Sequence, residues 1–113
     1  MVDSEDAKVY VYNASGAYQS TRDFDLNSDN DDPTGITWDG LQLYVPDATD
    51  NKVYVYDADG TYQASLGFAL TSLNGSPGDI TWDGTHLRVL DLTATALKVY
   101  TYTALGAYVG NIP

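Results

Sequence analysis

The sequence repeats itself with a period of 44 residues, and this period constrains the fold more than any other feature. Segment 6–49 aligns without gaps on segment 50–93, and 24 of the 44 paired residues are identical. A third copy begins at Lys98, where Lys-Val-Tyr-Thr-Tyr follows the pattern of Lys52–Tyr56. A period of this length is typical of folds that stack copies of one supersecondary unit. The sequence therefore predicts a repeat architecture.

Each unit contains signals for short strands and none for a helix. Apolar residues do not recur at three- and four-residue spacing, and Gly, Pro, Asn and Asp interrupt every segment. In the unit that begins at Pro33, the turn signals Asp-Gly, Pro-Asp and Asp-Ala-Asp-Gly separate four predicted strands. These predicted strands are 35–38, 41–45, 52–56 and 61–66.

The third predicted strand has no polar face. Val53 and Val55 point to one side of it, and Tyr54 and Tyr56 point to the other. A strand with one side in water would alternate apolar and polar residues, so here both faces of the sheet need cover. Antiparallel four-stranded sheets stacked face to face, at about 40–45 residues each, describe β-propeller blades. We therefore predict an all-β fold of β-propeller blades, each with four antiparallel strands.

The order of motifs in the unit 33–76 resembles that of propeller repeats of the NHL type. The matching motifs are Pro33-Thr-Gly35, Asp39-Gly40, Tyr44-Val-Pro-Asp47, Lys52-Val-Tyr-Val-Tyr56 and Asp57-Ala-Asp-Gly60. The resemblance covers essentially the whole chain and implies a β-propeller with blades of about 44 residues. Trp38 and Trp82 depart from the pattern, which has a small apolar residue near that point.

The number of predicted strands does not close a ring. The chain, 1–113, has the length of one domain, and it divides into a half blade (6–32) and two blades (33–76 and 77–113). These two and a half blades contain about ten strands, whereas closed propellers have about four to eight blades. The two end sheets would leave Tyr and Val faces bare. We expect a partial propeller that is completed by oligomerisation, with a homodimer favoured. The alternative is a piece of a longer propeller.

Composition excludes several classes of partner. The net charge of −11, with only five Lys and Arg residues, excludes nucleic acid and anionic membrane surfaces as expected partners. No apolar run reaches the roughly 18 residues of a membrane helix, and the acidic N-terminus does not resemble a signal peptide. There is no cysteine, so the compartment stays open. Fifteen acids are Asp and one is Glu, which favours turn chemistry, with salt adaptation or cation binding as alternatives.

One loop resembles the first half of a calcium-binding loop. Asp25, Asn27, Asp29 and Asp31 place oxygen ligands at every second position, as calcium loops do. Ile36 stands where such a loop carries its glutamate, and the equivalent stretch of the next unit, 69–76, has no acid. We predict no cofactor as an intrinsic part of the repeat. A calcium ion at these four residues, against a solvated acidic loop, is the alternative.

Four residues are candidates for contact with a ligand. Trp38 and Trp82 lie near strand ends, where an aromatic ring with a polar tip suits the face of a sugar. Asp47 and Asp91 end the second strand of their units, where they would face a ligand or bind backbone amides between blades. Asp39 and its counterpart in the next unit are expected to build the hairpin turn.

No catalytic constellation is visible in the sequence. The single histidine, His86, has no nucleophile and orienting group around it, and one histidine cannot build a multi-histidine metal site. We therefore expect a non-catalytic interaction or scaffold module that binds itself, and protein or carbohydrate as further partners. One alternative is a calcium-dependent hydrolase resembling propeller lactonases, which would need a glutamate, and the only one is Glu5. Another is a purely structural oligomer without a ligand.

Overall fold

The computed structural model describes residues 1–92 and 97–112, and these residues form an all-β protein. The all-β prediction is confirmed. The strands of the described residues are β1 (Val2–Asp3), β2 (Lys8–Val9), β3 (Phe24–Asp25), β4 (Thr37–Trp38), β5 (Leu43–Asp47), β6 (Lys52–Tyr56), β7 (Phe68–Ala69), β8 (Pro77–Trp82), β9 (Leu87–Asp91), β10 (Lys98–Tyr102) and β11 (Tyr108–Ile112). One 3-10 turn, Ser20–Arg22, precedes β3. No helix in these two ranges has the length and apolar character needed to cross a bilayer.

The strands form three antiparallel sheets, each of which follows the chain order. The opening sheet contains β1–β3, the central sheet β4–β7 and the closing sheet β8–β11. The register repeats between them, since Asp47 pairs with Lys52 in the central sheet and Asp91 with Lys98 in the closing sheet. Asp3 pairs with Lys8 in the same way in the opening sheet. The arrangement is compatible with propeller blades, and the four-stranded antiparallel unit is confirmed for the central and closing sheets.

The prediction for the fourth strand of the central unit, 61–66, is wrong. Only Tyr62 bridges back to Tyr56, the chain then turns, and the strand forms later at Phe68–Ala69. Leu66 donates its backbone N–H to Gln63 within this turn. The closing sheet does form a continuous strand at the matching place, Tyr108–Ile112. There Val109 replaces Gln63, and a β-branched residue fits a pleated strand better.

The opening unit also differs from its prediction. In the predicted half blade, 6–32, the chain after β2 forms only a bridge between Tyr12 and Tyr18, the 3-10 turn and the short β3. A further strand, β1, lies before this half blade and pairs with β2. The described residues therefore contain eleven strands rather than ten, and the opening sheet has three strands.

Two apolar layers hold the three sheets together. Val53 and Val55 of β6 lie in the layer between the central and closing sheets. Tyr54 and Tyr56 of the same strand lie in the layer between the central and opening sheets. All four side chains are buried. The prediction that both faces of this strand are covered is therefore confirmed, and hydrophobic burial on both sides stabilises the central sheet.

Candidate functional site

The first junction lies between the opening and central sheets, and the second lies between the central and closing sheets. Each junction contains a phenylalanine that lies against a glycine of the next unit. Phe24 packs on Tyr56, with 5.8 Å between the ring centroids, and fills the space where Gly60 would carry a Cβ atom. Phe68 packs on Tyr102 at the same distance and fills the corresponding space at Gly106. Both glycines have positive φ angles, +87° and +94°, which suit glycine.

A buried asparagine next to each of these tyrosines joins the loop between two sheets to the later sheet. The Asn30 side-chain amide donates to the Tyr56 hydroxyl at 2.9 Å. In the second junction the Tyr102 hydroxyl donates to Asn74 Oδ1 at 3.0 Å, and Asn74 Nδ2 donates to Asp91 at 3.1 Å. Burial raises the pKa of Tyr102 to about 12. Hydrogen-bonded buried polar groups of this kind fix how the sheets stack.

The sequence did not single out Asn30 and Asn74, although it carried a signal for them. Both occupy the same place in the period, within the loops 25–32 and 69–76, where five of the eight paired residues differ. A polar residue that is kept in loops that differ at most positions indicates a contact that both units need. Both side chains are fully buried.

Asp47 and Asp91 lie inside the junctions. Asp47 is buried and accepts the backbone N–H groups of Asp32 and Asp50 at 3.0 and 2.9 Å. Asp91 is also buried and, besides Asn74, accepts the N–H of Ser76 at 3.4 Å. These contacts correspond to the expectation that the two carboxylates bind backbone amides between blades. Ligand binding by either residue stays a prediction.

The hairpin turns confirm the structural role expected for Asp39 and Asp83. Asp39 Oδ1 accepts the backbone N–H groups of Leu41 and Gln42, and the Asp83 carboxylate accepts those of Thr85 and His86. The bond from the His86 amide and the neighbouring Arg88 side chain hold the pKa of Asp83 well below its usual range. Arg88 Nε lies 2.7 Å from Asp83 Oδ2.

A cleft of about 410 Å³ opens between the opening and central sheets. Its wall includes Trp38, which is 43% exposed, together with Val11, Arg22 and Ala58. This space is open because the opening sheet has no strand equivalent to β4, and its counterpart of β5 is the two-residue strand β1. Of the residues predicted from the sequence to bind a ligand, Trp38 is the one that this cleft exposes.

The matching space in the second junction is occupied. Tyr44 lies between the central and closing sheets, and its hydroxyl reaches Asp39 Oδ2 at 2.8 Å and the Ala104 carbonyl at 3.4 Å. Burial and the bond to Asp39 raise the pKa of Tyr44. Trp82 packs against this core, and its backbone N–H donates to Thr37 Oγ1 at 3.1 Å. The structure thus places Trp38 at a cleft and Trp82 at a packed junction.

The four predicted calcium ligands lie at the end of β3 and in the loop that follows it. Asp25, Asp29 and Asp31 are exposed, and Asn27 Oδ1 accepts the backbone N–H of Asp29 at 3.0 Å. Within residues 1–92 and 97–112, no three His, Cys, Asp or Glu side chains are grouped so that they could hold a metal ion. Calcium binding by these four residues stays a prediction.

No residue of the ranges 1–92 and 97–112 covers the two outermost sheet faces of the molecule. The tyrosine face is the outer side of the opening sheet and carries Tyr10, Tyr12 and Tyr18, with Tyr12 47% and Tyr18 49% exposed. The valine face is the outer side of the closing sheet, a shallow hollow of about 350 Å³. Residues that line the valine face are Asp79, Ile80, Thr81, Arg88, Leu90, Val99 and Ile112.

Comparison with known proteins gives no family for this chain. No protein-family model matches it, and no curated protein matches it either.

Proposed function

We propose that this chain is a non-catalytic β-propeller module that associates with copies of itself, a homodimer in the simplest case, to complete a ring of blades. What supports the proposal is that each sheet face inside the chain packs against a neighbouring unit, while no described residue packs on the tyrosine face or the valine face. An exposed sheet face that carries apolar side chains is a candidate interaction surface. The period of 44 residues and the repeated junction contacts support the propeller assignment.

The stability of the fold should depend on protein concentration if copies associate. Binding that favours the folded state raises the melting temperature by mass action. We expect the melting temperature to rise by several degrees when the protein concentration is raised about a hundredfold. A melting temperature that stays constant over that range would contradict self-association.

We propose as a second candidate function that the cleft between the opening and central sheets binds a carbohydrate. The exposed indole of Trp38 and the nearby Arg22 support this candidate, because an aromatic ring packs on a sugar face and a guanidinium donates to its hydroxyl groups. The wall of the cleft is otherwise largely apolar, which is usual for small-molecule sites.

The two tryptophans allow a matched test of the carbohydrate proposal. The chain has two tryptophans, so Trp82→Phe leaves Trp38 as the only one, and Trp38→Phe is the reciprocal control. We expect a sugar that binds in a glycan-array screen to change the fluorescence of Trp82→Phe and not that of Trp38→Phe. Binding that survives Trp38→Phe at unchanged affinity would place the sugar elsewhere.

A further inference from the structure

The faces at the two ends of the molecule correspond to faces that meet inside it. In the second junction, Tyr100 and Tyr102 of the closing sheet share one apolar cluster with Val53 and Val55 of the central sheet. In the first junction, tyrosines of the central sheet pack in the same way against valines of the opening sheet. Each junction thus joins the tyrosine side of one unit to the valine side of the unit before it.

We propose that the tyrosine face of one copy docks head-to-tail on the valine face of the next copy. This inference rests on the self-association proposed above and specifies which surfaces meet. By the repeat, Tyr10 and Tyr12 take the places of Tyr100 and Tyr102, and Val99 takes the place of Val53. A head-to-tail contact joins two different surfaces, so repeated copies close a ring when the rotation allows it and otherwise form a filament.

The charges disfavour contact between two tyrosine faces. Among the residues of the tyrosine face, the hydroxyls of Tyr10 and Tyr18 donate to the carboxylates of Asp6 and Asp23. The valine face carries the guanidinium of Arg88, which pairs with Asp83, and the carboxylate of Asp79. Two tyrosine faces together would bring carboxylates close to each other with no cation between them, whereas the head-to-tail contact also brings the donors of Arg88 towards them.

Arg88 also occupies the place in the closing sheet that Tyr44 occupies in the central sheet. Inside the chain, the Tyr44 hydroxyl reaches the backbone carbonyl of Ala104 in the next unit. The residue equivalent to Ala104 in the opening unit is Ala14. In the head-to-tail contact, Arg88 of one copy therefore donates to the Ala14 carbonyl of the next copy, while its Nε keeps the bond to Asp83.

Complementation between two interface variants tests the orientation. Tyr12→Lys places a charge on the tyrosine face only, and Val99→Lys places one on the valine face only. Tyr12 is exposed and Val99 half-buried, so circular dichroism first checks that each variant keeps the wild-type strand spectrum. Where Val99→Lys does not keep it, Ile112→Lys replaces it on the same face, at a side chain that is 50% exposed.

Light scattering on each variant alone and on their equimolar mixture gives the result. The head-to-tail contact predicts that each variant alone has at least tenfold weaker self-association than wild type. It predicts that the mixture forms a 1:1 complex, because one intact tyrosine face then meets one intact valine face. Arg88→Leu should weaken wild-type association about tenfold or more, as expected for a lost bond to a charged group.

Two kinds of result would contradict the head-to-tail contact. If either variant alone associates as strongly as wild type, or if the mixture forms no complex while wild type associates, the head-to-tail orientation is wrong and self-association stands. If wild type itself is a monomer at every concentration tested, the proposed self-association fails as well.

Discussion

The two internal junctions are built from the same contacts, but only the second is closed. Both contain a phenylalanine on a glycine and a buried asparagine beside a tyrosine. In the second junction, Tyr44 and the inner strand β4 fill the remaining space. In the first junction the corresponding strands are missing or short, and a cleft of about 410 Å³ remains. The phenylalanine and asparagine contacts thus align the sheets in both junctions, and the packing of Tyr44 and β4 closes the second one.

The largest loss of stability should come from replacing the two glycines against which a phenylalanine packs. In Gly106→Ala the new Cβ would lie 2.2 Å from the Phe68 ring and 2.6 Å from its Cβ, in addition to the unfavourable positive φ. We expect a loss of about 3 kcal/mol in the free energy of unfolding, measured by urea denaturation, and a similar loss for Gly60→Ala.

Gly16→Ala is the matched control for these two variants. Gly16 has the same φ as Gly60, +87°, but nothing among the described residues lies within 4 Å of its Cβ position. It should lose about 1 kcal/mol, the cost of the backbone conformation alone. Equal losses in all three variants would show that the phenylalanine contacts do not stabilise the junctions.

The two buried asparagines should contribute unequally to stability, because they make different numbers of hydrogen bonds in the two junctions. Asn74 has a bond at each end of its amide, to Tyr102 and to Asp91. Asn30 donates to Tyr56, while its Oδ1 has no partner among the described residues. We expect Asn74→Ala to lower the free energy of unfolding by about 2 kcal/mol and Asn30→Ala by about 1 kcal/mol. A larger loss for Asn30→Ala than for Asn74→Ala would contradict the view that the second junction has the stronger hydrogen bonding.

Tyr44→Phe tests how much the closed junction gains from the hydroxyl that reaches the next unit. The variant keeps the ring in the apolar layer and removes the bonds to Asp39 and to the Ala104 carbonyl. We expect a loss of about 1 kcal/mol in the free energy of unfolding. Tyr12→Phe is the control, because Tyr12 lies on the uncovered face, and it should change the free energy little. A larger loss in Tyr12→Phe than in Tyr44→Phe would contradict this view of the junction.

Alkaline pH should weaken the second junction gradually. The pKa of Tyr102 is raised to about 12 in the folded protein from an ordinary value of 10.0. Between these values the unfolded chain binds fewer protons than the folded one, so stability is full below pH 10 and falls as the pH rises towards 12. Urea midpoints across this range should show the decline, and Tyr102→Phe should make it shallower. An unchanged slope would show that Tyr102 ionises equally in both states.

The parts of the fold that the sequence predicted are those set by local pattern. The strand 52–56 was predicted with its observed bounds, because alternating Val and Tyr between turn residues define it without reference to other units. The fourth strand was misplaced because its position depends on Phe68 reaching a glycine of the next unit. The cleft beside Trp38 could not be predicted, since it follows from which strands the opening sheet lacks.

The molar mass of the chain in solution at micromolar concentration tests the central claim most directly. The two uncovered faces predict a mass that is a multiple of the 12.2 kDa of one chain, about twice that value for the favoured dimer. Multi-angle light scattering after size-exclusion chromatography measures it. A homogeneous species with the mass of one chain, unchanged when the concentration is raised, would contradict the claim that a second copy covers these faces.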